Sequence, residues 1–254
     1  MPEIKTGLVA VLDILGYENL LERKSAEYVA SEVIRVVNEA PDKAKGEVQA
    51  DISPMNKIPE KAKRAVHALR EGTLIESGEL VKSVVFSDTI VLTCEVDRTN
   101  TLACHFLTVQ VCLIYARLFM SGLPIRGAIG HGRFFHSGVS LAGNAVVEAL
   151  KWGRSIDAAA IVCPPPTDVF LRECNVSLPP KMASEYLMPL KSGSPLRMLV
   201  LNPLTLLGPS HISLGTDIRQ AVHEAFWGHG KDIPPSAYSK LFNTEMLFRF
   251  QRKK

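Results

Sequence analysis

The sequence predicts an α+β domain with an antiparallel-rich sheet. Three observations carry that expectation: a short Val- and Leu-rich run that stops at an acid (Gly7–Leu12, then Asp13), two apolar runs flanking Ser87 and Asp88, and stretches of helical periodicity between such runs. GLVAVL reads as a buried strand that delivers Asp13 to its end, with a turn at Gly16. Residues 18–38 then space Leu20, Leu21, Tyr28, Val29, Val33, Ile34 and Val37 as an amphipathic helix that Pro41 should stop.

The Lys-rich segment 42–76, with Pro54 and Pro59, reads as an inserted loop holding one helix near 60–70. LVKSVVFSDTIVLT at 80–93 is the pattern of a hairpin whose polar tip carries Asp88, and a helix over 101–120 follows. Residues 124–139, with four glycines, suggest a second hairpin with close backbone approach, then a helix over 143–154. Beyond the prolines at 164–166, strands are expected at 185–189 and 196–202 and helices at 216–226 and 236–251. The order strand, helix, insert, two strands, helix, two strands, helix is what a ferredoxin-like palm requires, with both acids at one edge.

At 254 residues and 46% hydrophobic content the chain reads as one domain: a core over about 5–202, the 42–76 insertion, and a C-terminal helical extension over about 203–254. The net charge of +3, with Lys and Arg scattered among Asp and Glu, does not predict a surface built to wrap nucleic acid. Five cysteines without a CxxC pair argue against a structural zinc site and fit a reducing cytoplasm. The apolar N-terminus contains Asp13, which argues against a secretory leader, and the 101–123 stretch, with His105, Gln110 and Arg117, reads as too polar for a membrane span.

Two converging carboxylates repel each other unless a cation lies between them, so the Asp13 and Asp88 pair is the sharpest chemical signal. Hard oxygen donors of this kind select Mg²⁺ or Mn²⁺, and a pair of such ions activates a hydroxyl and neutralises a leaving pyrophosphate. The Ile14 carbonyl is a further oxygen donor, and the main-chain N–H groups of Leu15, Gly16 and Tyr17 are positioned to cradle phosphate. Each acid has a plainer alternative: Asp13 as a cap on the helix at Glu18, Asp88 as a turn aspartate.

VAVLDILGYENL, KSVVFSDTIVLT, PIRGAIGHGRFFHSG and GNAVVEALKWG, in that order, together resemble the catalytic domain of class III adenylate and guanylate cyclases. The resemblance covers residues 7 to about 160. It implies that Asp13 and Asp88 are the metal aspartates, with Ser87 where the family has Gly, and that Arg126 binds pyrophosphate. It also implies that the helix after residue 143 is contributed to a partner subunit's active site. The family's purine-reading positions fall on Val84 and Ser140, its helix asparagine on Val147 and its transition-state arginine on Lys151, with Arg154 as an alternative cation and Lys191 near the family's phosphate-binding lysine.

Neither Val84 nor Ser140 reproduces a purine hydrogen-bond pattern. The departures resemble the pyrimidine cyclases of bacterial Pycsar anti-phage systems. That resemblance implies UTP or CTP as substrate, UTP placed first, two Mn²⁺ (or Mg²⁺) per site, a homodimer with shared active sites, and a separate effector sensing the cyclic product. Arg126, Lys151, Arg154 and Lys191 each have the alternative of a solvated charge, and His131, His136 and His229 read as structural. Two rival functions stay open: a purine cyclase, or an inactive cyclase-like dimer that binds a ligand. A polymerase-like palm is disfavoured by the lack of a template-binding basic groove.

Overall fold

The computed structural model describes residues 3–50, 80–96, 102–176, 178, 182–205, 218–230 and 233–253. The strands are β1 (Lys5–Ile14), β2 (Lys82–Phe86), β3 (Thr89–Glu95), β4 (Ile125–Ser137), β5 (Ser140–Gly143), β6 (Ile161–Cys163), β7 (Ala183–Met188) and β8 (Leu196–Leu201). They form one eight-stranded sheet in the order β2-β3-β1-β4-β6-β8-β7, with β5 paired to β4. The central strand β1 runs antiparallel to both β3 and β4, and among the described residues only the β4–β6 pair is parallel. The expected α+β architecture is therefore present, and its first four strands are arranged as a ferredoxin-like palm.

β1 is buried on both sheet faces, which is why it reads as a continuous apolar run rather than an alternating one. Leu8, Ala10, Leu12 and Ile14 join the main core, while Val9 and Val11 join a smaller cluster with Val91, Phe134, Ala145 and Ala149. Asp13 shares the parity of Val9 and Val11, so it projects on the side of the smaller cluster.

The helices are α1 (Tyr17–Arg23), α2 (Ala26–Tyr28), α3 (Arg35–Ala50), α4 (Leu102–Met120), α5 (Asn144–Ser155), α6 (Pro165–Glu173), α7 (Ile218–Trp227) and α8 (Pro235–Arg252), with a π-helical turn at Val29–Ile34 joining α2 to α3. α5 lies on the smaller-cluster face, and the main core gathers α3, α4, α7 and α8. α4 is apolar all round and supplies Leu107, Val111, Ile114, Tyr115 and Leu118 to that core. By length and composition it is apolar enough to cross a membrane, contrary to the expectation from His105, Gln110 and Arg117, yet most of Ala103–Met120 is buried within the protein.

Several expectations are corrected. Pro41 does not end the first long helix, because α3 runs through it to Ala50. Packing overrides the missing N–H: Val37, Ala40 and Ala44 are fully buried along one stripe, and Glu47 pairs with Arg117 of α4. Residues 42–50 of the expected insertion are thus helical, while the rest of it, including the helix near 60–70, lies outside the described residues. The helix expected over 18–38 instead breaks before Ser25, whose side chain accepts the Tyr28 N–H at 3.2 Å and starts a new helix.

Residues 125–137 are one strand rather than a hairpin, with the reversal at Gly138 and Val139. β6 and α6 follow and precede the prolines' expected tail; Pro165 and Pro166 open α6, where proline's missing N–H goes unneeded.

The glycines of β4 do permit close approach. A Cβ at Gly130 would fall against the Ala145 carbonyl and 3.0 Å from the Ala149 nitrogen, and one at Gly153 would lie 3.2 Å from the Gly127 Cα. The backbones of α5 and β4 are therefore in contact at both ends of the helix. Gly130→Ala should push α5 away and cost roughly 1–3 kcal/mol of stability, read as a lower urea midpoint at unchanged slope. An unaltered midpoint would contradict this packing.

Candidate active site

Asp13 stands one residue from the end of β1, opposite Thr89 on one side and Arg126 on the other. The Arg126 guanidinium donates twice to one carboxylate oxygen, from Nη2 at 3.1 Å and Nε at 3.3 Å to Oδ2. Its side chain is 16% exposed and that of Asp13 33%, so solvent screens this ion pair less than it screens a surface pair. Asp13 is not a helix cap: the residue at the start of α1 is Gly16, in the left-handed region at φ 78°, and no side chain caps that helix.

Asp88 occupies a two-residue turn between β2 and β3, where Phe86 pairs with Thr89. Ser87 holds φ 54°, a conformation that glycine adopts without penalty and other residues at a cost of order 1 kcal/mol. The turn is tied down because the Ile14 N–H donates to the Asp88 carbonyl at 3.3 Å. The Asp88 carboxyl comes within hydrogen-bonding reach of Asp13, and its pKa is raised, first by burial and then by the Asp13 charge, with a smaller push from Glu18.

This donor set fits a divalent cation that arrives with a nucleotide. Mg²⁺ and Mn²⁺ keep waters and phosphate oxygens as ligands and need one or two carboxylates from the protein. Among the described residues no group of three or more His, Cys, Asp or Glu side chains is placed as a self-sufficient metal cage. Glu18 escaped the sequence reading because it was taken only as a helix start; its position in the first turn after the Asp13 strand was the available signal.

The phosphate cradle expected over residues 15–17 is smaller than foreseen. The Leu15 N–H already donates to the Pro124 carbonyl at 2.8 Å, and the side chains of Ile14, Leu15 and Tyr17 are buried. Only main-chain atoms of this segment are left to meet a ligand.

Lys191 lies in the β7–β8 connection, and its N–H donates to the carbonyl of Ser155, the last residue of α5, at 2.8 Å. Its ammonium pKa is lowered by partial desolvation and by the charges of Arg126 and Lys240, with Asp157 and Asp13 opposing. Lys191 is thus part of the Asp13 edge.

Val147, Lys151 and Arg154 fall at i, i+4 and i+7 on α5, and all three are exposed, forming one outward stripe. Val84 sits opposite Val91 in β2, a purely apolar cross-strand pair on the Asp13 face. Ser140 pairs with Ser137 at the far end of β4, eleven residues from Arg126, which at ~3.3 Å per residue is roughly 35 Å away. It cannot touch a ligand held at Asp13 of the same chain.

The histidines have structural partners. His131 stacks on Phe170 with ring centroids 3.6 Å apart, and His136 meets the Thr93 hydroxyl at 2.7 Å on the opposite sheet face. His229 Nε2 donates to the Ser121 carbonyl at 2.8 Å, which leaves Nδ1 to accept the Tyr28 hydroxyl at 2.9 Å. All five cysteines are buried, and none forms a disulfide.

No protein-family model matches the chain, and no curated protein matches it. Among solved structures it is similar to the catalytic core of a rhodopsin-guanylyl cyclase with converted specificity in complex with ATPalphaS, at 15% identity over 79% of this chain and 97% of that one (TM-score 0.45). It is similar to the monomeric guanylyl cyclase domain of a fusion protein from the aquatic fungus Blastocladiella emersonii, at 13% identity over 79% and 96% (TM-score 0.45). A third similarity is to an adenylyl cyclase from P. aeruginosa, at 13% identity over 79% and 95% (TM-score 0.44).

Because the Asp88 carboxyl ionises less readily in the folded chain than in the unfolded one, metal-free protein should lose stability as pH rises from the ordinary carboxylate range through the raised value, with no further loss above it. Asp88→Asn removes the charge. Since the group is partly solvent-screened, the gain should be modest, about 1–3 °C in Tm at pH 7.5 in chelator, with a flatter pH dependence. A lower midpoint for the variant in chelator would show that the two carboxylates do not repel.

Proposed function

We propose that this chain is a nucleotidyl cyclase that converts a pyrimidine nucleoside triphosphate, UTP in preference to CTP, to the 3′,5′-cyclic monophosphate and pyrophosphate. The observation that carries the reading is the meeting of Asp13 and Asp88 at one sheet edge, with Arg126 and Lys191 beside them. An acid pair flanked by cations suits a ligand that brings both a divalent metal and a polyphosphate.

In this reading Asp13 and Asp88, with the Ile14 carbonyl, hold two Mn²⁺ or Mg²⁺ ions with the substrate. When bound, those ions acidify the ribose 3′-hydroxyl and offset charge on the leaving group. The 3′-hydroxyl gives up its proton to solvent and its oxygen bonds to the α-phosphorus as the bond from that phosphorus to the bridging oxygen of pyrophosphate breaks. Arg126, released from Asp13, turns to the pyrophosphate, and Lys191 adds a second cation there. Main-chain atoms of Gly16 and Tyr17 border the phosphates.

The outward stripe of Val147, Lys151 and Arg154 and the distance of Ser140 from Asp13 support a homodimer in which a second copy brings Ser140, Lys151 and Arg154 to each site. Exposed Phe86, Val139 and Val147 supply apolar surface for such a contact. Val84, paired with Val91, offers a base neither donor nor acceptor, so the hydrogen-bond pattern that reads a purine is missing at this position. The cyclic product would act on a separate effector in anti-phage defence.

Incubation with each of the four ribonucleoside triphosphates and Mn²⁺, with products identified by mass spectrometry, should yield cyclic UMP, and less cyclic CMP, with pyrophosphate. Cyclic AMP or cyclic GMP as the main product would move the substrate to a purine, and no cyclic product from any nucleotide would leave a ligand-binding domain. Asp13→Ala should lower the rate at least about 10³-fold while Lys151→Ala and Arg154→Ala separate the two transition-state cations by their individual losses, of order 10–10³-fold for the one that acts.

A further inference from the structure

The C-terminal helix approaches the same edge of the sheet. After α5 the chain passes through residues 156–159, and this segment is bonded on two sides. On one side Ile156 bridges Leu190, the Asp157 N–H donates to the Pro189 carbonyl at 3.0 Å, and the Lys191 N–H donates to Ser155 at 2.8 Å. On the other, α8 docks: the Asn243 amide donates to the Asp157 carbonyl at 2.8 Å and to its carboxylate at 3.2 Å, and the Ala159 N–H donates to the Thr244 hydroxyl at 2.8 Å. Thr244 in turn donates to the Lys240 carbonyl at 2.6 Å, so Lys240 stands one turn before the docking residues.

Lys240 is half-buried, and its ammonium donates to the Ser236 carbonyl of its own helix at 3.2 Å. Among the described residues no carboxylate forms an ion pair with Lys191 or Lys240, and the nearby Asp157 carboxylate already accepts Asn243. Arg126 adjoins the same segment, since the N–H of the next residue, Gly127, donates to the Ala160 carbonyl at 2.9 Å, and burial together with the Arg126 and Lys240 charges lowers the Lys191 pKa. Like charges gathered this way call for a polyanion, and the Asp13 and Asp88 pair lies at the same edge.

We propose that Lys240, from the C-terminal helix, joins Arg126 and Lys191 in binding the polyphosphate tail of the nucleotide, so that α8 is part of the substrate site rather than an appendage to the fold. This rests on the cyclase reading above. A tail contact predicts a specific pattern: Lys240 strengthens binding of any chain of linked phosphates and is indifferent to the base and to a lone monophosphate.

Calorimetric titration of the full chain with inorganic tripolyphosphate, in Mg²⁺ buffer at low salt, tests it. Lys240→Gln should bind tripolyphosphate about 5–10-fold more weakly than the unaltered protein, Lys240→Arg should stay within about 2-fold, and the affinity of all three for UMP should agree. Circular dichroism confirms that the variants keep the helix. Equal tripolyphosphate affinity for Lys240→Gln, alongside normal binding by the unaltered chain, would overturn the role of Lys240 and leave the cyclase reading standing. Failure of the unaltered chain to bind either tripolyphosphate or a nucleoside triphosphate would overturn both.

Discussion

At the end of β1 the side chains of Asp13 and Asp88 come within hydrogen-bonding reach, and the arrangement of the surrounding elements follows from keeping those two carboxylates together. Their repulsion is held in check by backbone geometry: β1 is clamped between β3 and β4, and the Asp88 turn is bonded to Ile14. Arg126 neutralises one acid from the register position directly opposite. The other is left partly protonatable by burial. Neither acid contributes to the core, and Ser87 accepts an unfavourable backbone conformation in the turn that carries Asp88.

The same edge gathers cations from elements far apart in sequence. Arg126 comes from the start of β4, Lys191 from the β7–β8 connection, and Lys240 from α8. The segment at 155–159 is the common anchor, since it is bonded to residues 189–191 on one side and to Asn243 and Thr244 on the other. α5 ends at that anchor and is held against β4 by the backbone contacts that Gly127, Gly130 and Gly153 allow. A shift of this helix would therefore disturb Lys151, Arg154 and Lys191 together.

Much of this was legible in the sequence where local chemistry and tertiary packing agree. The buried β1 strand, the Ser87–Asp88 turn and the α4 and α5 helices stand where apolar periodicity and polar interruptions placed them, and Asp13 and Asp88 meet as their positions on strand ends implied. Sequence reading failed where packing overrode a local rule. Pro41 lies inside a helix because its flanking alanines and valine are buried, and β4 runs straight through three glycines because α5 covers them. The contribution of Lys240 was invisible for a different reason: nothing in residues 236–251 marks which helix face will dock on a loop some 85 residues earlier, a separation set by the Thr244 to Ala159 bond.

The central claim is that Asp13 and Asp88 act jointly to hold a divalent cation together with a nucleotide. Mn²⁺ binding followed by electron paramagnetic resonance, with and without a non-cyclisable UTP analogue, addresses it directly. The account predicts tight Mn²⁺ uptake by the unaltered chain only when the analogue is present, and loss of that uptake in both Asp13→Asn and Asp88→Asn. Uptake that persists in either variant at the affinity of the unaltered chain would contradict it.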